Sequence, residues 1–163
     1  MKKLAIALLA VLGLVVGLLI ALYAYATTLP ETHTASVTAM IPAPPDEVRA
    51  RVEDWRDPSW KEGVTAVEDL GIVDGRQRFR ECTWECLDFE VVPGGEGYRT
   101  RVVDNPDFGG TWTWRFEPVD GGTRVTLTED GEVYSPVFRL FMVHVFGTDG
   151  TIREVMGALE RSW

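Results

Sequence analysis

The chain is short of the residue types that carry metal, phosphate and nucleic-acid chemistry. It has two cysteines, two histidines and, beyond Lys2 and Lys3, a single lysine at Lys61. Of its 16 basic side chains two are Lys2 and Lys3, leaving 14 against 25 acidic ones. Nucleic-acid binding needs a basic stripe that displaces counterions, and the scattered arginines form none, so no nucleic-acid partner is expected. The same acidity repels anionic lipid. No Ser-His-Asp order or phosphate-cradling glycine loop occurs; Asp74-Gly75 and Gly121-Gly122 are turn chemistry. Cys82 and Cys86 lack a second ligand pair, with His33 and His144 far away in sequence, so neither a metal nor another cofactor is expected.

What the chain does have is one long apolar run. Leu4 to Ala24 is uncharged, nearly all Leu, Ala, Val and Ile, and follows directly on Lys2 and Lys3. At 1.5 Å per residue such a helix spans roughly the 30 Å hydrocarbon layer. Tyr23 and Tyr25 fall where it would leave the bilayer, a depth that suits amphipathic rings. A cleaved signal peptide is the rival reading, with Ala24-Tyr25-Ala26 as its small-x-small site, but the run exceeds the usual apolar region of roughly 7–15 residues. The expectation is an anchor with its exit linker over residues 1–29. The lysines would stay cytoplasmic and the domain of residues 30–163 would sit on the outer face of the cell membrane. The bilayer is then the first expected partner. About 130 residues suffice for one domain with a real core and are too few for two.

Within that domain His33 to Ile41 alternates as a first strand. Pro45, followed by Asp46 and Glu47, opens a short helix to about Trp55 on Val48, Val52 and Trp55. From Gly63 the period becomes two. Six strands are expected, over 64–72, 77–82, 84–92, 97–104, 111–118 and 123–133, separated by Gly-, Pro- and Asp-rich turns. This is an antiparallel meander. Trp112, Trp114 and Phe116 alternate with Thr113, Arg115 and Glu117, which demands one buried and one wet face. Pro136 to Trp163 reads as helical, capped by Ser135. Its apolar face runs through Phe138, Phe141, Met142, Val145, Ile152, Val155, Met156 and Leu159, with a kink or break at Gly147–Gly150, after which Thr151 and Glu154 offer a capping box.

The residues Ile41-Pro42-Ala43-Pro44-Pro45-Asp46-Glu47-Val48 resemble the strand-to-helix entry of the SRPBCC superfamily, the polyketide cyclase/dehydrase and START-like proteins. Asp54, Pro58 and Trp60 resemble the acid-Pro-x-Trp stretch that follows it. Thr111 to Pro118 and Asp120 to Thr126 resemble that family's last two strands. The resemblance covers about Thr34 to the C-terminus and marks a fold more than a chemistry. It implies an α+β helix-grip, a seven-stranded curved antiparallel sheet around a long C-terminal helix, here preceded by one transmembrane helix. It also implies an apolar cavity between sheet and helix.

Phe79, Phe89, Trp112, Trp114, Phe138, Phe141, Met142 and Val145 are the expected ligand-binding residues, the alternative being that they fill one another's space. Glu81, Glu85 and Glu129 share parity with the apolar face, so a buried carboxylate among them is a candidate general acid or base; a bulge, for which Gly131 is a candidate, would reverse that parity. Cys82 and Cys86 read either as unrelated residues or as a disulfide suited to an oxidising compartment. The expected function is a membrane-tethered binder or carrier of an apolar small molecule or lipid, with Val137 to Phe146 as a gate beside the bilayer. A cyclase- or dehydratase-like enzyme and a ligand-free interaction domain are the alternatives.

Overall fold

The computed structural model describes residues 2–95 and 97–163. It begins with α1 (Lys2–Ala26), whose apolar side chains stand exposed along its length. Two threonines finish the helix: Thr27 and Thr28 donate their hydroxyls to the carbonyls of Ala24 and Tyr25, both at 2.7 Å. The turn that follows is short, and β1 (Thr32–Ile41) starts at once. Next come α2 (Pro45–Glu53) and the meander β2 (Ala66–Val73), β3 (Arg76–Cys82), β4 (Cys86–Val91), β5 (Tyr98–Val103), β6 (Phe108–Val119) and β7 (Gly122–Val133). The strands form one antiparallel sheet in the order β1-β7-β6-β5-β4-β3-β2, so the first strand closes the meander against the last.

Alternation sorts the two faces. On the convex face β1 and β7 are zipped by hydroxyl pairs across the register, Ser36 with Thr128 at 2.8 Å and Thr38 with Thr126 at 3.1 Å. Arg80 grips Asp88 through two nitrogens, at 2.6 and 3.0 Å, the two-pronged geometry that makes arginine–carboxylate pairs specific. The concave face is apolar. Val125 and Leu127 of β7 oppose Phe116 and Trp114 of β6, and Ala39 and Ile41 of β1 continue the surface. Gly131 sits in unbroken register with both neighbours, so the parity of β7 holds to its end. The bulge lies in β2 instead, between Asp69 and Gly71, where Gly71 takes φ +77° and the Asp69 carboxylate accepts its N–H at 2.9 Å.

The C-terminal segment is three pieces rather than one. Ser135 caps α3 (Pro136–Phe141), its Oγ accepting the Phe138 N–H at 3.5 Å. A π-helical turn follows over Met142–Phe146, and α4 (Gly150–Arg161) starts afresh. Gly147 at φ +78° makes the break, since L side chains adopt that conformation at a cost. The expected capping box is absent because Thr151 already lies inside α4; Asp149 occupies the cap position and its carboxylate binds Arg153 instead. Ile152, Met156 and Leu159 of α4 are fully buried on the sheet together with Val48 and Val52 of α2. Each such side chain contributes about 1.5–3 kcal/mol by leaving water.

β4 begins at Cys86 rather than Trp84 because Cys82 and Cys86 form a disulfide across a non-regular turn, with their Cα atoms 4.0 Å apart. Closing so short a loop removes about 2 kcal/mol of chain entropy from the unfolded state. Thiol titration of the unfolded chain should find no free thiol before reduction and two afterwards. Replacing both cysteines by alanine should lower the urea unfolding free energy of the detergent-solubilised chain by about 2 kcal/mol. Free thiols in the unreduced chain would contradict the bridge.

Candidate functional site

The concave face does not close completely. Between α2, the following loop, the far strands and α4 lies a cleft of about 50 Å³. Strand parity delivers its floor: Phe79 and Glu81 from β3, Phe89 from β4, Tyr98 and Thr100 from β5, Trp112 and Trp114 from β6. Val52 of α2 and Val155 of α4 supply the walls, and Trp55, Trp60 and Lys61 come from the irregular chain after α2. Aromatic rings occupy most of the space. Trp55 stacks on Phe79 at 4.8 Å, Phe79 on Phe89 at 5.3 Å, and Trp60 meets Trp114 edge-on at 6.2 Å.

That volume decides what fits. Drug-sized ligands occupy pockets of roughly 300–1,000 Å³, whereas one water needs roughly 10–15 Å³ of such space. In this state the cleft has room for a few waters, so the roomy cavity expected from the sequence is largely filled by the domain's own rings. A larger guest requires the lining to part.

The cleft's polar atoms are few and unevenly satisfied. Glu81 and Lys61 form an ion pair, with both side chains mostly buried. The indole Nε1 of Trp60 and the hydroxyl of Tyr98 are buried without a hydrogen-bond partner among the described residues. Burial holds the Tyr98 hydroxyl well above its ordinary range, with the nearby charges of Glu53 and Glu81 adding to the effect. An unpaired buried donor costs about 1–3 kcal/mol, so two on one cleft invite an acceptor.

The expected ligand residues divide by element. Phe79, Phe89, Trp112 and Trp114 line the cleft; Phe138, Phe141, Met142 and Val145 contribute nothing to it. The break at Gly147 separates them from α4, and they gather at the foot of α1. Phe138 packs on Phe108 at 5.8 Å, and Phe141 and Val145 are substantially exposed. His144 pairs its Nε2 with the Tyr25 hydroxyl at 3.0 Å.

The three carboxylates divide as well. Glu81 faces the cleft, tied to Lys61. Glu85 lies in the disulfide-closed turn between β3 and β4, outside both strands, so it has no strand parity to share. Glu129 is mostly buried on the concave face, accepting from Trp112 Nε1 at 3.1 Å, with His33 Nε2 at 3.9 Å. Burial raises its pKa from the ordinary 4.5, while the Trp112 bond and His33 act against the rise. His33 owes its place to Gly131, where a Cβ would stand 2.2 Å from the imidazole. Among the described residues no cluster of three or more His, Cys, Asp or Glu side chains is placed to hold a metal ion.

Sequence reasoning missed Val52, Trp55, Trp60, Lys61, Tyr98, Thr100 and Val155 as lining residues. Tyr98 and Thr100 were accessible through strand parity. Trp60 and Lys61 come from irregular chain, where no period points inward.

The protein TTHA0849 from Thermus thermophilus is similar in structure, at 25% identity and TM-score 0.62 over 79% of this chain and 95% of that one. A START superfamily protein from Mycobacterium smegmatis aligns with TM-score 0.63 at 18% identity, over 80% of this chain and 96% of that one. The Zhui aromatase/cyclase of a Streptomyces species aligns with TM-score 0.62 at 16% identity, over 80% and 93%. At those last two identities the likeness is one of fold. No curated protein matches the sequence. Residues 32–162 match the family described as polyketide cyclase / dehydrase and lipid transport, and with the seven-stranded sheet and its covering C-terminal helix this makes the chain a member of that family.

Proposed function

We propose that this is a membrane-tethered domain that binds or carries an apolar small molecule or lipid bearing at least one hydrogen-bond acceptor. The observation that carries the reading is the pair of orphaned polar atoms, on Trp60 and Tyr98, among the apolar lining of one cleft. Apolar walls with a few placed polar groups are the usual composition of a ligand site. A carbonyl or ether oxygen would relieve the unpaired indole N–H, and the rings around it suit a flat or greasy body. Organic extraction of the full chain held in nanodiscs of a single synthetic lipid, followed by mass spectrometry, tests for a retained guest.

Entry falls to the chain between α2 and β2. α4 and the sheet are locked by buried side chains and strand hydrogen bonds, whereas residues 54–61 form no helix or strand. Their backbone bonds are short-range, such as Asp57 N–H to Asp54 and Lys61 N–H to Pro58, and Arg56 reaches β2 only through an exposed pair with Asp69 at 3.0 Å. The Lys61–Glu81 ion pair fastens this segment to β3. It takes over the gating role that the sequence assigned to Val137–Phe146. As for the tether, α1 is long and apolar enough to cross a membrane. Its last residue, Ala26, is buried against the domain, which favours retention over cleavage there. A disulfide accords with a domain on the outer face.

An acid/base enzyme is the second reading, and the buried Glu129 is the observation in its favour. Glu129 touches Trp112, which lines the cleft, but does not line it itself. Glu81 does line it but is tied up by Lys61, so binding without chemistry is preferred.

Binding can be probed with 2-acetonaphthone, which carries a carbonyl acceptor, against naphthalene, which does not. Trp60→Phe should weaken 2-acetonaphthone about fivefold, the worth of one hydrogen bond of about 1 kcal/mol, and leave naphthalene unchanged. Equal losses for both probes, measured by fluorescence titration, would remove the acceptor from the reading.

Glu129 makes a separate pH prediction. Its raised pKa means the folded chain holds that proton more tightly than the unfolded one. The associated stability is fully present below the unfolded value and fades as pH rises through the folded value. Glu129→Gln stays neutral throughout. Thermal unfolding should therefore show similar stability near pH 4 and a growing advantage for Glu129→Gln toward pH 8; a gap independent of pH would mean that burial does not perturb this carboxyl.

A further inference from the structure

The foot of α1 is built into the domain rather than hung from a loose linker. Arg139 of α3, itself 6% exposed, organises the joint. Its guanidinium donates to the carbonyl oxygens of Val133, Tyr134 and Leu29 at 2.8, 2.9 and 3.3 Å, and to the Glu31 carboxylate at 2.6 Å. One buried cation thus ties the end of β7, the turn after α1 and the first residues before β1 to α3. Removing such a multiply bonded charge would strand four acceptors at once. On the other side of the joint the Tyr25 hydroxyl meets His144 of the π turn at 3.0 Å.

This joint sets a depth. The 25 helical residues of α1 extend about 37 Å, against a hydrocarbon layer of roughly 30 Å. With the charged Lys2 and Lys3 at one interface, Tyr23 and Tyr25 reach the other, where tyrosines are favoured. Whatever is bonded to Tyr25 lies at that same level. What is bonded there is the π turn, and its neighbourhood is apolar: Val137, Val143 and Val145 are 49%, 42% and 64% exposed. Pro136 to Phe146 contains no acidic residue in a chain of net charge −9, and its single arginine is internally paired. Three exposed valines on one short helical stretch are unfavourable in water and favourable in the headgroup–acyl boundary.

We propose that α3 and the π turn lie in the outer interface of the bilayer beside α1, so that the domain sits on the membrane in one fixed posture. The occupant of this face is lipid, because the face continues the surface of a membrane-spanning helix at the depth where that helix emerges. The proposal rests on the reading of α1 as a retained span.

The test uses the full chain in phosphatidylcholine vesicles, with a bimane fluorophore on Val145→Cys, Val137→Cys or, as an exposed control in the β6–β7 turn, Asp120→Cys. Cys82 and Cys86 are consumed by their disulfide and do not take the label. Phosphatidylcholine spin-labelled near its headgroup should quench the Val145 and Val137 probes at least about threefold more than the Asp120 probe, for a segment buried roughly 5–10 Å into the boundary. Iodide should show the opposite order. If both valine probes are as open to iodide as the control while the chain resists carbonate extraction, the span stands and the interfacial seat is overturned. Shielding from iodide without lipid quenching would assign the face to a protein partner and overturn the proposal too. Release by carbonate would overturn the seat together with the span. Val137 and Val145 sit at opposite ends of the segment, so a variant that fails to fold leaves the other to give the answer.

Discussion

An open sheet with one apolar face has to have that face covered, and every other feature of this domain follows from how the covering is shared. β6 and β7 set the problem through their alternation, with Trp112, Trp114 and Phe116 on one strand and Val125 and Leu127 on the other directed to the same side. α4 answers it over β1 and β7 by burying Ile152, Met156 and Leu159. α4 has only 12 residues and does not reach across all seven strands. The uncovered half is closed by aromatic side chains of the sheet and by Trp55 and Trp60 from the chain after α2. The cleft is the seam between these two solutions, which explains why its lining comes from α2, α4, four strands and a loop together.

Period-two patterning carried most of this into the sequence. Seven strands, their antiparallel order and the inward parity of Phe79, Glu81, Phe89, Trp112, Trp114 and Glu129 are all legible there, because a residue's face in a strand depends only on its neighbours. The exceptions have local physical causes. Glu85 fell outside because a disulfide turned Trp84 and Glu85 into a loop. Phe138, Phe141, Met142 and Val145 were grouped with Ile152 and Met156 because helical periodicity extrapolates through a break. Gly147 in left-handed conformation resets the phase, so residues before and after it have independent faces. Trp60 and Lys61 were invisible to any period.

The same break gave the polypeptide two functions in place of one long grip helix. α4 belongs to the sheet and α3 belongs to α1. Arg139 shows why this division is stable. A buried guanidinium tolerates so little solvent only because four oxygens surround it, and those oxygens come from Val133 at the end of β7, Tyr134 just after it, Leu29 in the turn before β1 and Glu31. The cation adds direction to a joint whose apolar contacts, Ala26 buried and Phe138 on Phe108, carry little of their own. An apolar α3 without it would lack a fixed direction relative to α1.

The edge of the cleft and the joint at α1 are consequently built from different stretches of chain. The segment between α2 and β2 is held by short-range backbone bonds, by Trp55 on Phe79 and Trp60 against Trp114, by the Lys61–Glu81 pair, by exposed pairs of Arg56 with Asp69 and Glu62 with Arg161, and by Thr65 on the Cys82 carbonyl. The joint at α1 is held by Arg139 and by Tyr25 with His144. The two sets share no residue. The cleft lining can therefore part without loosening the joint at α1, and that joint can stay fixed without stiffening the lining. The proposed role, accepting a guest larger than the resting cleft in one posture beside a bilayer, would draw on that separation.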